Sequence, residues 1–273
     1  MAPAALVVLG MVCALAGSVG GIGGATLLVP ALLALGTGPL EAAPLGLLVV
    51  AAGSLAAAAR QVDDGLVHHR LGLTVELTAG VGTVAGALVS TQVPAEWLAR
   101  VLGVAALVGA AAALGRSGMR NQPQGIFDSD AGGEWPGTLG GQYSLRGEMV
   151  PYQATNVPAG VAASAVAGVV AGLAGVGGGF VKTPAMSEIM RVPVKVAGAT
   201  TTFTLGLTAA SGLLIYGVQG RMELRSGAAV VVGALVGGLA GARLQSRLPA
   251  TSVRRTAGAL LLVVAVVVIG RSL

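Results

Sequence analysis

Apolar runs alternate with short polar breaks along almost the whole chain, and the breaks fall largely at glycine, proline and arginine. Apolar segments lie near residues 3–19, 25–36, 43–59, 72–91 and 97–115, and again near 157–173, 179–190, 196–217, 227–245 and 253–270. Runs of this purity predict helices buried in a membrane. The second segment of each set is shorter than the rest. At about 1.5 Å per residue, a dozen residues reach about 18 Å, less than the roughly 30 Å of a hydrocarbon core. A short or re-entrant helix is predicted at both places. Between the two sets, 116–153 is polar and contains Asp128, Asp130, Glu134, Pro123, Pro136 and Pro151. It reads as an extended soluble loop. The expected organisation is a first transmembrane repeat over 1–115, a polar cytoplasmic loop over 116–153 and a second transmembrane repeat over 154–273.

The two sets are copies of one unit. Gly21-Ile22-Gly23-Gly24 with Pro30 matches Gly175-Val176-Gly177-Gly178 with Pro184 at a constant offset of 154, as Pro39 matches Pro193. At an offset of 155, Gly65 matches Gly220, Gly86 matches Gly241, Pro94 matches Pro249 and Arg100 matches Arg255. A glycine break repeated at corresponding places in two apolar halves points to the central site of a transporter.

Basic residues then orient the repeats. If the first two segments of each copy formed one broken span, the sixteen Lys and Arg would divide evenly between the two sides. If they form a hairpin, each copy crosses an odd number of times and the second copy is inverted. One side then collects Arg60, Arg70, Arg116, Arg120, Arg146, Lys182, Arg191, Lys195, Arg243, Arg247, Arg254 and Arg255. The other keeps Arg100, Arg221, Arg225 and Arg271. The positive-inside rule favours this arrangement and puts both termini outside and the 116–153 loop in the cytoplasm. The predicted fold is therefore an all-α polytopic membrane protein of two inverted repeats. Each repeat has a glycine-rich helical hairpin and three spanning helices.

Composition agrees with that class. The chain is 54% hydrophobic and 10% charged, with a mean hydropathy of +0.84, far from the roughly 25% charged of soluble domains. The net charge of +5 does not imply nucleic-acid binding, because the basic residues are spread through short loops. With aromatics at 3%, no Trp/Tyr belt marks the interfaces. The lone Cys13 lies in an apolar segment and reads as an inert buried thiol. Residues 4–16 resemble a signal-peptide core, but no Lys or Arg precedes them. Residues 3–19 are read as the first membrane helix.

The candidate chemistry is anion binding. Glycine admits positive φ and a close backbone approach. In Gly-x-Gly-Gly ahead of a helix, successive N–H groups can share one small space with the partial positive charge of the helix start. The competing reading is tight helix packing through small residues. Pro30 and Pro184 each remove a ladder hydrogen bond, leaving a freed carbonyl, a hinge or a tolerated kink. Lys182 lies within the second short segment, where it either faces an anionic substrate or snorkels to the interface. Thr26 beside the first loop, and Thr200 and Thr201 with Thr202 and Thr204 at the start of the third segment of the second copy, offer hydroxyls. Ser54, Thr208 and Ser211 are weaker candidates of the same kind. Glu76 is read either as a proton site or as interfacial. Asp63, Asp64, His68 and His69 cluster in one loop, but the second copy has no equivalent, so no metal or cofactor is expected. With both histidines in that loop, a membrane-embedded Ser-His enzyme is not expected.

The paired Gly-x-Gly-Gly-x5-Pro motifs in a small Ala/Gly/Val-rich chain resemble the TauE/SafE family of sulfite exporters, also called the four-toluene-sulfonate uptake permease family. The run Gly220-Arg221-Met222-Glu223, and a following small-residue segment with Gly237, Gly238 and Gly241, fit the same pattern. The resemblance spans nearly the whole chain except 116–153, which is longer than the family's linker. It implies a secondary carrier of small sulfur-containing anions such as sulfite or a sulfonate. By position, Gly21, Gly23, Gly24 and Pro30 would be the motif residues, with Gly175, Gly177, Gly178, Gly179 and Pro184. Export is the expected direction, since an inside-negative potential favours anion exit by about 2.3 kcal/mol per charge per 100 mV. A passive anion channel, or a carrier of another small carboxylate or inorganic anion, is the alternative. The expected partners are the anion and the lipid bilayer of a cell membrane, in particular a bacterial inner membrane, with a homodimer as an open assembly state.

Overall fold

The computed structural model describes residues 1–94, 132–145 and 148–272, and seven isolated positions between 96 and 111. The segment expected over 97–115 falls mostly outside the described residues.

Helices begin and end where proline and glycine allow. Helix α1 (Pro3–Gly20) has proline in its first turn and stops at Gly21, whose φ of 65° is left-handed. Helix α2 (Ala25–Ala34) contains Pro30, α3 (Pro39–Asp63) again opens on a proline, and α4 (His69–Val89) follows the side-chain cap of His68. In the second half, α5 (Val157–Ala174) stops at Gly175, with φ 71°. Helix α6 (Gly179–Pro184) is one short turn that widens at Pro184 into a π-helical turn, Ala185–Ile189. The missing proline N–H removes one ladder bond, and the widened turn recovers pairing through Met190 N–H to the Ala185 carbonyl. The chain continues through α7 (Val194–Val218), α8 (Leu224–Arg247) and α9 (Ala250–Ser272). Among the described residues, six helices are long and apolar enough to cross a membrane, which agrees with the polytopic helical class.

The two short helices double back on their predecessors. A methyl group on Gly24 would lie 2.8 Å from the Ala14 Cα, and one on Gly178 would lie 3.0 Å from the Ala167 carbonyl oxygen. Each glycine break is thus the turn of a helical hairpin.

Small residues then bring backbones together. Gly233 and Gly237 of α8 press on the carbonyls of Val7 and Met11 of α1, so these helices run in the same direction. In the same way Gly168 and Gly172 of α5 press on Ala79 and Thr83 of α4. The fourth helix of each half therefore packs along the first helix of the other. Helices α3 and α7 cross between these pairs in opposite directions, with Leu47 beside Gly212 and Ser54 beside Gly206. A methyl group on Gly233 would sit only 2.0 Å from the Val7 carbonyl oxygen. Gly233→Val is expected to destabilise the protein by about 3 kcal/mol, measured as a lower thermal-unfolding midpoint in detergent.

The stretch expected as an extended loop holds a three-stranded antiparallel sheet at 133–153, of β1 (Gly133–Glu134), β2 (Gly140–Leu145) and β3 (Glu148–Gln153). Tyr143 and Tyr152 give it an apolar face. That face packs on Leu66, Leu71, Met186, Met190 and Val196, at the start of α4, the π turn and the start of α7.

Candidate functional site

Lys182 is fully buried within the helical bundle. Left-handed Gly177 and Gly178, at φ 76° and 74°, start the one-turn helix α6 that carries it. Its side chain is 0% exposed. The ammonium Nζ donates to Glu76 Oε2 on α4 at 2.5 Å and to Thr208 Oγ1 on α7 at 2.6 Å. The Thr208 hydroxyl donates to Glu76 Oε1 at 2.6 Å, closing a triangle. The Lys182 side chain thus turns inward to a carboxylate and a hydroxyl rather than out to solvent. An ammonium and a carboxylate out of water are tolerated only when paired and hydrogen-bonded, as these are.

The two glycine loops meet beside this triangle. The Thr183 hydroxyl donates to the Gly21 carbonyl, and a methyl group on Gly179 would lie 2.6 Å from the Ile22 carbonyl oxygen. Gly23 and Gly177 both face Val50, and the Leu205 side chain touches Gly23 and Gly179. Thr26 returns its hydroxyl to the Ile22 carbonyl at 3.0 Å. Next to the first loop, a cavity of about 10 Å³ is lined by Gly17, Gly23, Gly24, Val50, Ser54 and Thr202. That is room for about one water. Val50 and Leu205 fill the space between the loops, so the structure is closed at this level. Pro30 and Pro184 are both buried within their hairpins.

Thr200 and Thr201 lie elsewhere. The Thr200 hydroxyl accepts the His68 backbone N–H at 2.9 Å, and that of Thr201 reaches Met186 Sδ at 3.4 Å. They tie α7 to the start of α4 and to the π turn. Thr208, a minor candidate from sequence, is the threonine that reaches Lys182. The pairing of Lys182 with Glu76 spans 106 residues. The available signal was two opposite charges stranded in apolar segments.

The sheet covers one end of the bundle. Glu134 of β1 accepts the Arg70 N–H at 3.1 Å, and its carboxylate lies 3.0 Å from His68 Nδ1 and 3.8 Å from His69 Nδ1. The same His68 nitrogen accepts the Leu71 N–H that caps α4. Burial pushes the His68 pKa below the ordinary imidazole value, while Glu134 acts in the opposite sense. Asp64 pairs with Arg60, whereas the two histidines face Glu134. Among the described residues, no group of three such side chains could hold a metal.

Two openings approach the bundle. At the end opposite the sheet, a cavity of about 390 Å³ is lined by Glu41, Leu45, Leu48, Arg221 and Glu223. There the Arg221 guanidinium lies 4.1 Å from the Tyr216 ring centre and donates to the Leu40 carbonyl and Ser90 Oγ. Between α4 and α7, an apolar groove of about 650 Å³ is lined by Leu73, Leu77, Val81, Leu207 and Ser211 and reaches Glu76.

Comparison with known proteins agrees with a membrane transporter. A family model described as "Sulfite exporter TauE/SafE" matches residues 6–268. The chain is similar to "Probable membrane transporter protein YunE" of Bacillus subtilis (strain 168), at 29% identity over 257 residues, covering 89% of this chain and 88% of that protein. No solved structure matches.

Proposed function

Because the chain belongs to the TauE/SafE family of membrane transporters, we propose that it is a secondary carrier moving small sulfur-containing anions, sulfite or an organosulfonate, outward across the cell membrane. The observation that carries this reading is Lys182. It is a fully buried ammonium on the short helix of a glycine-broken hairpin, held against a carboxylate and a hydroxyl on neighbouring helices. A buried charge in a membrane protein marks a substrate or ion path. Sulfite and sulfonate oxygens are strong hydrogen-bond acceptors and suit an ammonium, a threonine hydroxyl and backbone N–H groups at a helix start.

The mechanism we propose is alternating access between inverted repeats over 1–115 and 154–273. Three features support it: the exchange of fourth helices between the halves, the opposed directions of α3 and α7, and the abutting hairpin turns. With the basic residues placed inside, the sheet lies on the cytoplasmic face and both termini lie outside. In the closed form, Val50, Leu205 and the paired loops separate the two sides. Rocking of one hairpin against the other repeat would expose Lys182 to each side in turn. Lys182 has no twin, since Leu28 stands at its place in the first copy, so the proposed site is lopsided toward the second hairpin.

Uptake of radiolabelled sulfite, sulfate and a small sulfonate into proteoliposomes tests the proposal. Saturable uptake of sulfite or the sulfonate is expected. Folded protein that moves no sulfur oxyanion would defeat it.

A further inference from the structure

We infer that Glu76 is a proton-binding site that couples the cycle, so that an anion taking its place beside Lys182 travels with a proton on Glu76. The inference rests on the anion site proposed above and names the ion that accompanies the substrate.

The geometry leaves little alternative once an anion binds. Both hydrogen bonds described for the Lys182 ammonium go to Glu76 and Thr208. An anion must therefore displace the Glu76 carboxylate from Lys182 or share the ammonium with it. Displacement would strand a carboxylate among apolar groups. Sharing would place two negative charges on one buried ammonium. Either state is far costlier than the existing neutral pair. Among the described residues of the helices packed on α4, no second positive charge faces the pair. Helix α5, packed along α4, has no charged residue, and the only charge on α7 is Lys195 in its first turn. Glu76 itself is 5% exposed. A proton taken from water on the loading side, bound to a Glu76 carboxylate oxygen, restores neutrality. Thr208 then accepts from the protonated Glu76, or donates to the substrate. On the far side the anion leaves, the proton returns to water, and the Lys182–Glu76 pair re-forms for the empty return.

The charge balance has a consequence for direction. A monoanion with a proton is electroneutral, so the membrane potential does not drive its exit. Exit is then driven by the anion's own outward gradient, and a more acidic outside opposes it.

The test uses purified full-length protein in proteoliposomes containing an internal pH dye, with potassium and valinomycin clamping the potential at zero. The probes are isethionate, a sulfonate that stays ionised at working pH, and sulfite. Anion influx through the wild type should acidify the lumen in proportion to radiolabel taken up, and an acid bath should speed influx. Glu76→Asp keeps the carboxylate and should keep the acidification. Any flux that Glu76→Gln retains should move no protons with isethionate and lose its stimulation by acid. Wild-type isethionate influx without acidification overturns the inference, as does acidification that persists in Glu76→Gln. If isethionate is not carried, sulfite influx decides: acidification unchanged by Glu76→Gln means that protons move as bisulfite, which also overturns it. No flux of either anion through folded protein defeats the carrier reading itself, and the inference with it.

Discussion

Replacing Lys182 by methionine should abolish anion transport, by at least about 100-fold, and should also destabilise the protein. The second effect follows from what is left behind. Removing one partner of a buried ion pair strands the other and costs about 3–5 kcal/mol, here Glu76 at 5% exposure. Loss of transport in the single variant would therefore be open to two explanations, a missing site or a damaged fold. The double variant Lys182→Met/Glu76→Gln separates them. Buried pairs replaced by neutral side chains of similar volume are often as stable as the original. The double variant should regain most of the thermal stability measured in detergent, yet stay inactive. Normal transport by the double variant would make the triangle with Thr208 a structural strut only.

The glycines should divide into two classes. Gly175 has φ 71°, and a methyl group on it would lie 2.3 Å from both the Cα and the carbonyl oxygen of Ala43. Those are backbone atoms of α3 and cannot step aside. Gly175→Ala should therefore prevent the second hairpin from docking, with loss of monodisperse protein on size-exclusion chromatography. A methyl group on Gly21 would lie 2.5 Å from the Gly198 Cα, so Gly21→Ala should behave alike. Gly23 differs. Its φ is 82°, but its neighbours are the side-chain ends of Leu205 at 3.1 Å and Val50 at 3.5 Å. Gly23→Ala should fold, with a strain of roughly 1–2 kcal/mol, while narrowing the space where the two loops meet. Transport should fall about tenfold or more, the equivalent of 1.4 kcal/mol or more, with expression retained. Equal transport by wild type and folded Gly23→Ala would assign the loop to packing alone.

The helical frame was legible because proline and glycine punctuate it. The segment expected at 3–19 is α1, Pro3–Gly20, bounded by Pro3 and Gly21. The short segment at 25–36 is α2, Ala25–Ala34. Helix α3 runs beyond the expected 43–59 to Pro39–Asp63, because its polar ends carry Glu41, Arg60 and Asp63 out of the apolar run. Apolar content marks the hydrocarbon layer, and helices outrun it. The π turn after Pro184 has no counterpart after Pro30, although the prolines are matched. The sheet at 133–153 escaped because its strands are short and interrupted by Pro151, and its docking face is mainly two tyrosines. Of the site, Lys182 and the glycine loops were legible from type and spacing. The partner of Lys182 was not, since a contact across 106 residues leaves no local pattern. The threonine run at 200–204 was conspicuous in sequence, yet the hydroxyl that reaches Lys182 belongs to Thr208. Helix phase decides which of these buried hydroxyls meets the ammonium.

Counterflow is the most direct test of the central claim, that small sulfur anions bind and cross at Lys182 between the paired loops. Proteoliposomes loaded with unlabelled sulfite receive a trace of radiolabelled sulfite outside. The wild type should accumulate label transiently above equilibrium, with saturation as external sulfite rises, and the folded Lys182→Met/Glu76→Gln variant should show no overshoot. Flux without saturation or overshoot in the wild type, or an undiminished overshoot in the double variant, would contradict the account.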